Sequence, residues 1–167
     1  MGEGWPRDEI DTMFREGQKL EPQYQYLYMK MAYLLMPKWY GEPGEWEEFA
    51  RRISAENPGG HGDELYARIA LLMAGDNGND FNLETIFTKT SLSWPLVKRG
   101  EEAIRARFPR SKINANYFAF LACAAGDKKT AREAFQRIGE DYAITVWGNR
   151  IVYEHSRRWA NRPPGTP

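Results

Sequence analysis

The sequence predicts an all-α protein, organised as a stack of antiparallel helical hairpins with about seven or eight helices. Apolar residues recur at helical spacing, most clearly at Ala131, Ala134, Phe135 and Ile138. No segment shows the alternation of apolar and polar residues that indicates a half-buried β-strand. Clusters of glycine and proline separate the apolar segments. We therefore expect one α-helical repeat domain over residues 1–162 and a disordered tail over residues 163–167.

Two amphipathic helices are predicted before Pro37. The first spans residues 6–17, and its early acidic residues suit the positive end of the helix dipole. The second spans residues 21–36 and ends there because proline disfavours the helical conformation of the residue before it. The predicted apolar residues are Ile10, Met13 and Phe14 in the first helix and Tyr24, Leu27, Tyr28, Met31, Ala32, Leu34 and Leu35 in the second.

An aromatic connection rich in proline and glycine, PKWYGEPGEW, spans residues 37–46 and leads into a third helix. The residues Trp46, Phe49, Ala50 and Ile53 repeat the spacing of the stripe within residues 131–138. We therefore expect a helical hairpin over residues 24–56 with a long elbow. The acidic residues around the start of the third helix lie where negative charge is favourable.

The middle of the chain begins with a helix breaker, NPGG, at residues 57–60. Asp63 is the expected N-cap of a helix over residues 64–74. Residues 75–92 are interpreted as a loop with a short packed turn. Ser93 is the expected cap of the next helix, which starts at Trp94 and ends before Pro109. The residues of that helix predicted to face the core are Val97, Gly100, Ala103, Ile104 and Phe108, with Gly100 and Ala103 permitting close helix contact.

Residues 113–138 predict two antiparallel helices joined by a tight turn. The first is apolar on almost every side, which indicates burial by several neighbours. Gly126 suits the left-handed position after a helix, and Asp127 suits the N-cap of the next one. Gly139 is expected to end the second helix.

A single last helix is expected over about residues 143–160. Its predicted core stripe consists of Ile144, Trp147, Gly148, Ile151, Val152, His155 and Trp159.

The hairpin over residues 113–138 resembles a tetratricopeptide repeat. The small or aromatic positions of that motif fall on Ala119, Ala122, Gly126, Ala131 and Phe135. One 34-residue period earlier, Ile104 and Pro109 fall on the apolar and terminal proline positions. The chain departs from the motif at residues 114–115, where tryptophan is frequent, and the preceding repeat lacks a matching first helix. The resemblance implies a right-handed solenoid of hairpins and assigns no function.

The order of several segments is also similar to a bacterial helical-repeat family of unknown function. These segments are LLMPKWYGEPGEWEEFA, GDELYARIA, the helix from Trp94 to Pro109, and FLACAAGDKKTAREAFQRIG. The similarity covers about residues 24–148. It implies a helical-repeat fold and provides no catalytic residues.

Composition narrows the function classes. Lysine and arginine number 23, as do aspartate and glutamate, so no net charge attracts the protein to nucleic acid or membrane. A single cysteine excludes an internal disulfide and fits a reducing compartment. The first residues do not form a signal peptide, and no apolar stretch approaches the length of a membrane span. We expect a cytoplasmic protein.

The elbow provides the first candidate binding site. Trp39, Tyr40 and Trp46 flank its prolines and glycines, so they form either an interaction patch or a hydrophobic staple. Trp46 shares the helical stripe and is expected in the core, whereas Trp39 lies outside the period and is expected to be more exposed. The geometry of the repeat places Asn116 and Phe120 on the concave face, where such arrays bind partners.

The chemistry-bearing residues are otherwise few. His61 and Asp63 follow a glycine-rich loop, and His155 is the only other histidine, so an interhelical pocket with these three is the alternative site. We expect no metal site or cofactor, because two ligands do not complete a zinc site. Cys123 lies among alanines and is expected to be a buried packing residue. Nucleic-acid binding is disfavoured because Glu101 and Glu102 interrupt the basic region of residues 98–112.

Two hypotheses follow from the sequence. The first is a non-catalytic helical-repeat protein that binds a protein or peptide partner. The second is an enzyme or small-molecule-binding protein with an interhelical pocket near the loop at residues 57–63.

Overall fold

A computed structural model describes residues 4–56, 60–76 and 78–163, and these residues form helices and connections without a β-strand. The all-α prediction is therefore confirmed for this part of the chain. The helices are α1 (Arg7–Leu20), α2 (Gln25–Leu34), α3 (Glu45–Glu56), α4 (His61–Ala74), α5 (Ile86–Lys89), α6 (Trp94–Arg107), α7 (Lys112–Ala124), α8 (Lys128–Ile138), α9 (Ile144–Trp147) and α10 (Arg150–Asn161). The sequence predicted about seven or eight helices. The ten helices of the described residues include two short ones of four residues each, α5 and α9.

Helix α4 is the centre of the N-terminal part, where it packs against α2, α3 and α6. Its contact with α6 is close because Gly100 has no side chain. A Cβ atom at Gly100 would lie 2.0 Å from the carbonyl oxygen of Asp63 and 2.7 Å from the Cβ of Ala67. The prediction that Gly100 permits close helix contact is therefore confirmed.

Two apolar clusters form the core. The first joins residues of α1 to α6, and Leu121 of α7, around Tyr66, Ile69 and Met73 of α4. The second joins residues of α7 to α10 around Phe135 and Trp147. Trp94 at the start of α6 packs against both clusters, and its ring lies 6.2 Å from that of Phe118. The two clusters are therefore in contact through the N-terminal end of α6.

The hairpin of α7 and α8 has the predicted local chemistry. Gly126 has a φ of 71° and Gly139 a φ of 58°, both in the left-handed region that favours glycine. The Asp127 carboxylate accepts a hydrogen bond from the backbone N–H of Thr130 at 3.0 Å, so Asp127 is the N-cap of α8. The predicted stripe of α8, from Ala131 to Ile138, is buried.

The prediction of one continuous last helix is wrong. Gly148 has a φ of 72° and separates α9 from α10, and the Asn149 side chain caps α10 by accepting from the Val152 N–H. This break changes which residues share a face. Ile144 and Ile151 are 60% and 76% exposed, and His155 is exposed, although all three were expected in the core stripe. The buried residues of α10 are Tyr153 and Ala160.

Asp63 is not the N-cap that the sequence predicted. Helix α4 begins at His61, with Gly60 at the N-cap position, so Asp63 lies within its first turn. Its side chain is turned inward and binds groups on other helices. Similarly, Ser93 occupies the N-cap position of α6 but makes no side-chain capping hydrogen bond.

Several aromatic and apolar residues assigned to the core are exposed instead. Met13 is 48%, Tyr24 57%, Phe108 42% and Ile113 38% exposed. Tyr24, Phe108 and Ile113 lie at or just beyond helix ends.

The breaker at residues 57–59 and the tail at residues 164–167 lie outside the described residues. The tetratricopeptide-like stacking, its right-handed twist and the single repeat domain stay predictions. None of the described helices combines the length and apolar character that crossing a membrane requires.

Candidate functional site

The three aromatic residues of the elbow have different environments. Trp46 is 3% exposed and its ring stacks on that of Phe81, with 5.8 Å between the centroids. Trp39 is 52% exposed and Tyr40 is 37% exposed. The prediction that Trp46 belongs to the core and that Trp39 is the more exposed of the two is confirmed. Trp46 is therefore unavailable to a partner, whereas Trp39 is accessible.

Backbone hydrogen bonds hold the elbow against the end of α2. The N–H of Trp39 donates to the Met36 carbonyl at 2.9 Å, and that of Gly41 donates to the same oxygen at 3.2 Å. The backbone approaches closely here, because a Cβ at Gly41 would lie 1.9 Å from the Leu35 carbonyl oxygen. The turn is thus held by its main chain, and the Trp39 ring is not needed to close it.

The exposed Trp39 ring continues an aromatic face of α2. Tyr26, Lys30 and Tyr33 are spaced at i, i+4 and i+7, so they lie on one side of the helix. The Lys30 Nζ lies 5.3 Å from the Tyr26 ring centroid and 5.6 Å from that of Tyr33. The Tyr33 and Trp39 centroids are 5.9 Å apart. A contiguous row of rings and a cation therefore runs from α2 to the elbow.

Two further residues extend this row. At one end, the Tyr24 ring lies 6.4 Å from that of Tyr26, and at the other the Lys38 Nζ lies 5.3 Å from the Tyr33 centroid. We call the set the aromatic–lysine surface, and it consists of Tyr24, Tyr26, Lys30, Tyr33, Lys38 and Trp39. Three of these, Tyr24, Tyr26 and Trp39, are 57%, 54% and 52% exposed.

The two lysines of the surface differ in their partners. Lys38 donates to the Asp76 carboxylate at 2.5 Å and to the Asn79 side chain at 3.1 Å. This hydrogen bond lowers the pKa of Asp76, which remains ionised. Lys30 forms no ion pair with any residue in the described part of the chain, and its Nζ lies over the two tyrosine rings. Its charge is therefore available to an incoming group.

Sequence reasoning missed Tyr26, Lys30 and Tyr33, and it assigned Tyr24 to the apolar side of the helix. The spacing of the three residues could have shown that they share a face. The spacing could not show which side of α2 is covered by other helices. In the structure, α2 packs on α1, α3 and α4 with the side that carries Tyr28, Met31 and Ala32.

The predicted binding residue Asn116 lies at the bottom of a groove, but it is enclosed and its polar atoms are bound within the protein. It is 0% exposed, and its Oδ1 accepts from the Trp147 Nε1–H at 2.7 Å and from the Ala143 N–H at 3.1 Å. Its Nδ2 donates to the Lys112 carbonyl at 2.9 Å. A buried amide is stable only when these bonds are made, and here they attach α9 to α7. Phe120 is half-buried with its ring centroid 5.0 Å from that of Trp147.

The residues of the alternative pocket do not meet. His155 is exposed on α10, whose buried residues belong to the second cluster, whereas Asp63 is 1% exposed on α4, whose buried residues belong to the first. Arg99 donates to both oxygens of Asp63 at 3.1 Å, and the Ser54 hydroxyl donates at 2.5 Å. Asp63 therefore joins α3, α4 and α6 through a buried carboxylate whose partner Arg99 is half exposed.

His61 and Glu64 complete the first turn of α4. Burial lowers the pKa of His61, and its ring lies edge-on to Tyr28 at 6.1 Å. Burial alone would raise the pKa of Glu64, but hydrogen bonds and nearby cations outweigh it and leave the pKa below its ordinary value. The Glu64 Oε1 accepts from Arg68 at 2.8 Å and from Gln25 at 2.8 Å. Glu64 thus joins α4 to α2, whereas the Nε2 of His61 is buried and has no hydrogen-bond partner among the described residues.

Glu101 is a buried carboxyl group that the sequence did not reveal. It is 0% exposed, and its oxygens have no hydrogen-bond partner among the described residues. Burial raises its pKa to about 8, against a smaller lowering by Arg68. Because the group is enclosed, it does not contact a ligand from solvent. Cys123 is half-buried, and burial raises the pKa of its thiol to about 12, so the reactive thiolate is disfavoured.

Within residues 4–56, 60–76 and 78–163, no three histidine, cysteine, aspartate or glutamate side chains come together as a metal site would require. Comparisons of the chain with family models, curated proteins and solved structures found no match. The two resemblances of the sequence therefore stay predictions, and the function has to be argued from the surface of this molecule.

Proposed function

We propose that the chain is a non-catalytic helical-repeat protein that binds another protein or a peptide through its aromatic–lysine surface. The observation that carries this proposal is the exposure of Tyr24, Tyr26 and Trp39, each more than half accessible within one contiguous row. Contiguous exposed apolar patches larger than a few hundred Å² often mark interaction sites, and this row of rings is the candidate for such a patch.

Tyrosine and tryptophan are suited to this role. Their rings are large and rigid, so they bury much area at a small cost in conformational entropy, and they are enriched among the residues that dominate binding energy. Trp39 contributes little to the fold, because main-chain hydrogen bonds close the elbow. Its exposed ring therefore costs little in folding and remains free for recognition.

The row favours an extended partner segment with proline or aliphatic side chains. Flat aromatic surfaces bind such segments because proline rings stack on them and the extended conformation is already ordered. The unpaired ammonium group of Lys30 lies between two tyrosines and suits a carbonyl or carboxylate oxygen of that segment. Support for a non-catalytic role comes from Asp63, Glu64, Glu101 and Cys123, which are paired, enclosed or protonated.

The test begins with affinity capture from the native host, followed by direct titration of the purified partner. The double variant Tyr26→Ala, Trp39→Ala should weaken binding by tenfold or more, about the loss expected of hot-spot rings. Its melting temperature should stay close to that of the unsubstituted protein. The matched control is Ile151→Ala, which removes a 76% exposed apolar side chain from α10 and should leave binding unchanged.

Equal affinity of the double variant and the unsubstituted protein for the partner would refute the proposed surface. Equal losses in the double variant and in Ile151→Ala would show that binding does not depend on these rings in particular.

A further inference from the structure

A groove separate from the aromatic–lysine surface lies between the C-terminal end of α6, the N-terminal end of α7 and the C-terminal end of α8. Its volume is about 490 Å³, within the range of ligand sites. The side chains that line it include four cations, Arg105, Arg110, Lys112 and Arg137, and two anions, Glu102 and Asp141. We propose that this groove binds an acidic peptide segment of a partner protein, with Arg110 and Arg137 contacting its carboxylates.

The cations of the groove are only partly neutralised by the protein itself. Lys112 pairs with Asp141, which leaves three arginines and Glu102. Arg105 lies over the Phe118 ring, with its guanidinium carbon 4.4 Å from the centroid. Arg110 and Arg137 are exposed, and their guanidinium groups form no hydrogen bond or ion pair with any described residue. Two guanidinium groups, each able to bind a carboxylate through paired N–H donors, are therefore unoccupied.

The start of α7 adds positive potential to the same groove. Ser111 and Lys112 line it, and Ser111 caps the helix by accepting a hydrogen bond from the Asn114 N–H at 3.3 Å. The first turn of α7 contains no acidic side chain that would offset the positive end of the helix dipole. The dipole and the two free arginines thus attract the same kind of group.

The other lining residues favour a peptide over a nucleic acid. Phe108, which is 42% exposed, lies at the groove with Pro109 and Ile138, and these offer apolar contacts to side chains between carboxylates. Glu102 and Asp141 would repel a continuous row of phosphates. The chain as a whole carries no net charge, so it has no general attraction for polyanions. Isolated carboxylates separated by apolar side chains match this pattern.

This inference goes beyond the proposed function, because the groove is formed by α6, α7 and α8 whereas the aromatic–lysine surface lies on α2 and the elbow. The test uses a short fluorescein-labelled peptide in which glutamate alternates with alanine, titrated by fluorescence anisotropy. We expect a Kd below about 100 μM at moderate salt, and weaker binding as salt screens the charges. The same peptide with lysine in place of glutamate should not bind.

The double variant Arg110→Gln, Arg137→Gln should weaken binding of the glutamate peptide about tenfold or more, because both guanidinium groups are lost. Its fold should be retained, since neither side chain has a partner in the described part of the chain, and its circular dichroism spectrum checks this. The matched control, Lys19→Gln, removes an exposed cation from α1 and should bind as the unsubstituted protein does. The variant Trp39→Ala should bind the glutamate peptide as the unsubstituted protein does. Loss of peptide binding at the groove can therefore be distinguished from loss of partner binding at the aromatic–lysine surface.

A second measurement localises the site. In amide NMR spectra, the backbone N–H resonances of residues 112–114 should shift on addition of the glutamate peptide. Absence of binding up to about 1 mM, or unchanged affinity in the double arginine variant, would overturn the proposal. Tighter binding of a single-stranded oligonucleotide or of inorganic phosphate than of the peptide would overturn the choice of a peptide partner.

Discussion

The substitution Gly100→Ala tests the central contact of the N-terminal part. A Cβ atom there would lie 2.0 Å from the Asp63 carbonyl oxygen and 2.7 Å from the Ala67 Cβ. Non-bonded heavy atoms need roughly 3.5 Å, so α4 and α6 would have to separate by more than about 1 Å. The obstacle is backbone, which no rotamer change removes. Movement of α4 would also disturb the ion pair between the buried Asp63 carboxylate and Arg99.

The expected magnitude combines two opposing effects. Alanine favours a helix over glycine by about 1 kcal/mol, which would stabilise an uncrowded site. Overpacking typically costs about 1–3 kcal/mol. Because the obstacle is backbone, the cost lies at the upper end of that range, and subtracting the helix preference leaves a net loss of about 2 kcal/mol in the free energy of unfolding. The melting temperature should fall by about 4–8 °C.

Denaturant titration followed by circular dichroism measures this loss. The matched control is Gly17→Ala in α1, where the new Cβ would lie 2.9 Å from a terminal methyl of Leu27. That methyl can move, so we expect a change within about 1 kcal/mol in either direction. If Gly100→Ala proves as stable as Gly17→Ala, the close packing of α4 on α6 is incorrect.

Three further predictions concern buried groups. Phe135 is 1% exposed and contacts Trp147 and Tyr153 with 5.4 Å between ring centroids, so Phe135→Ala should cost about 3–5 kcal/mol by denaturant titration; a loss below about 1 kcal/mol would contradict its place in the core. Because the Glu101 pKa of about 8 in the folded protein exceeds the ordinary value of 4.5, the folded state retains a proton that the unfolded state loses between these values. Stability should therefore fall as pH rises across that interval, by up to about 1.4 kcal/mol per pH unit, and Glu101→Gln should flatten the profile; an unchanged slope in this variant would assign the effect to another group. Cys123, with its thiol pKa raised to about 12 by burial, should react slowly with iodoacetamide in the native protein and rapidly in denaturant; fast native reaction would indicate an exposed or activated thiolate.

Local chemistry could be predicted wherever it depends on neighbours in the sequence. The glycine turn at Gly126, the cap at Asp127 and the buried stripe of α8 follow from spacing and from residue conformational preferences. The contrast between Trp46 and Trp39 follows in the same way, because only Trp46 shares a helical stripe. These features need no knowledge of which helices pack together.

The wrong predictions share a different cause. Periodicity shows which residues share a helix face, but not whether another helix covers that face. The sequence therefore did not indicate that Tyr26, Lys30 and Tyr33 lie on the side of α2 that faces away from α1, α3 and α4. The break at Gly148 likewise changed which residues of the last segment point inward.

Polar residues depended most on tertiary structure. Asn116 can be buried because Trp147 donates a hydrogen bond to its amide oxygen, and Asp63 can be buried because Arg99 binds its carboxylate. These partners lie 31 and 36 positions further along the chain. Burying an amide or a carboxylate is favourable only when its hydrogen bonds and charge are satisfied, and such distant partners are invisible to local patterns. The sequence alone thus predicts most of the helices, and it predicts the turn and the cap within the hairpin of α7 and α8. Which faces stay open, and therefore where a partner can bind, is set by how the helices pack.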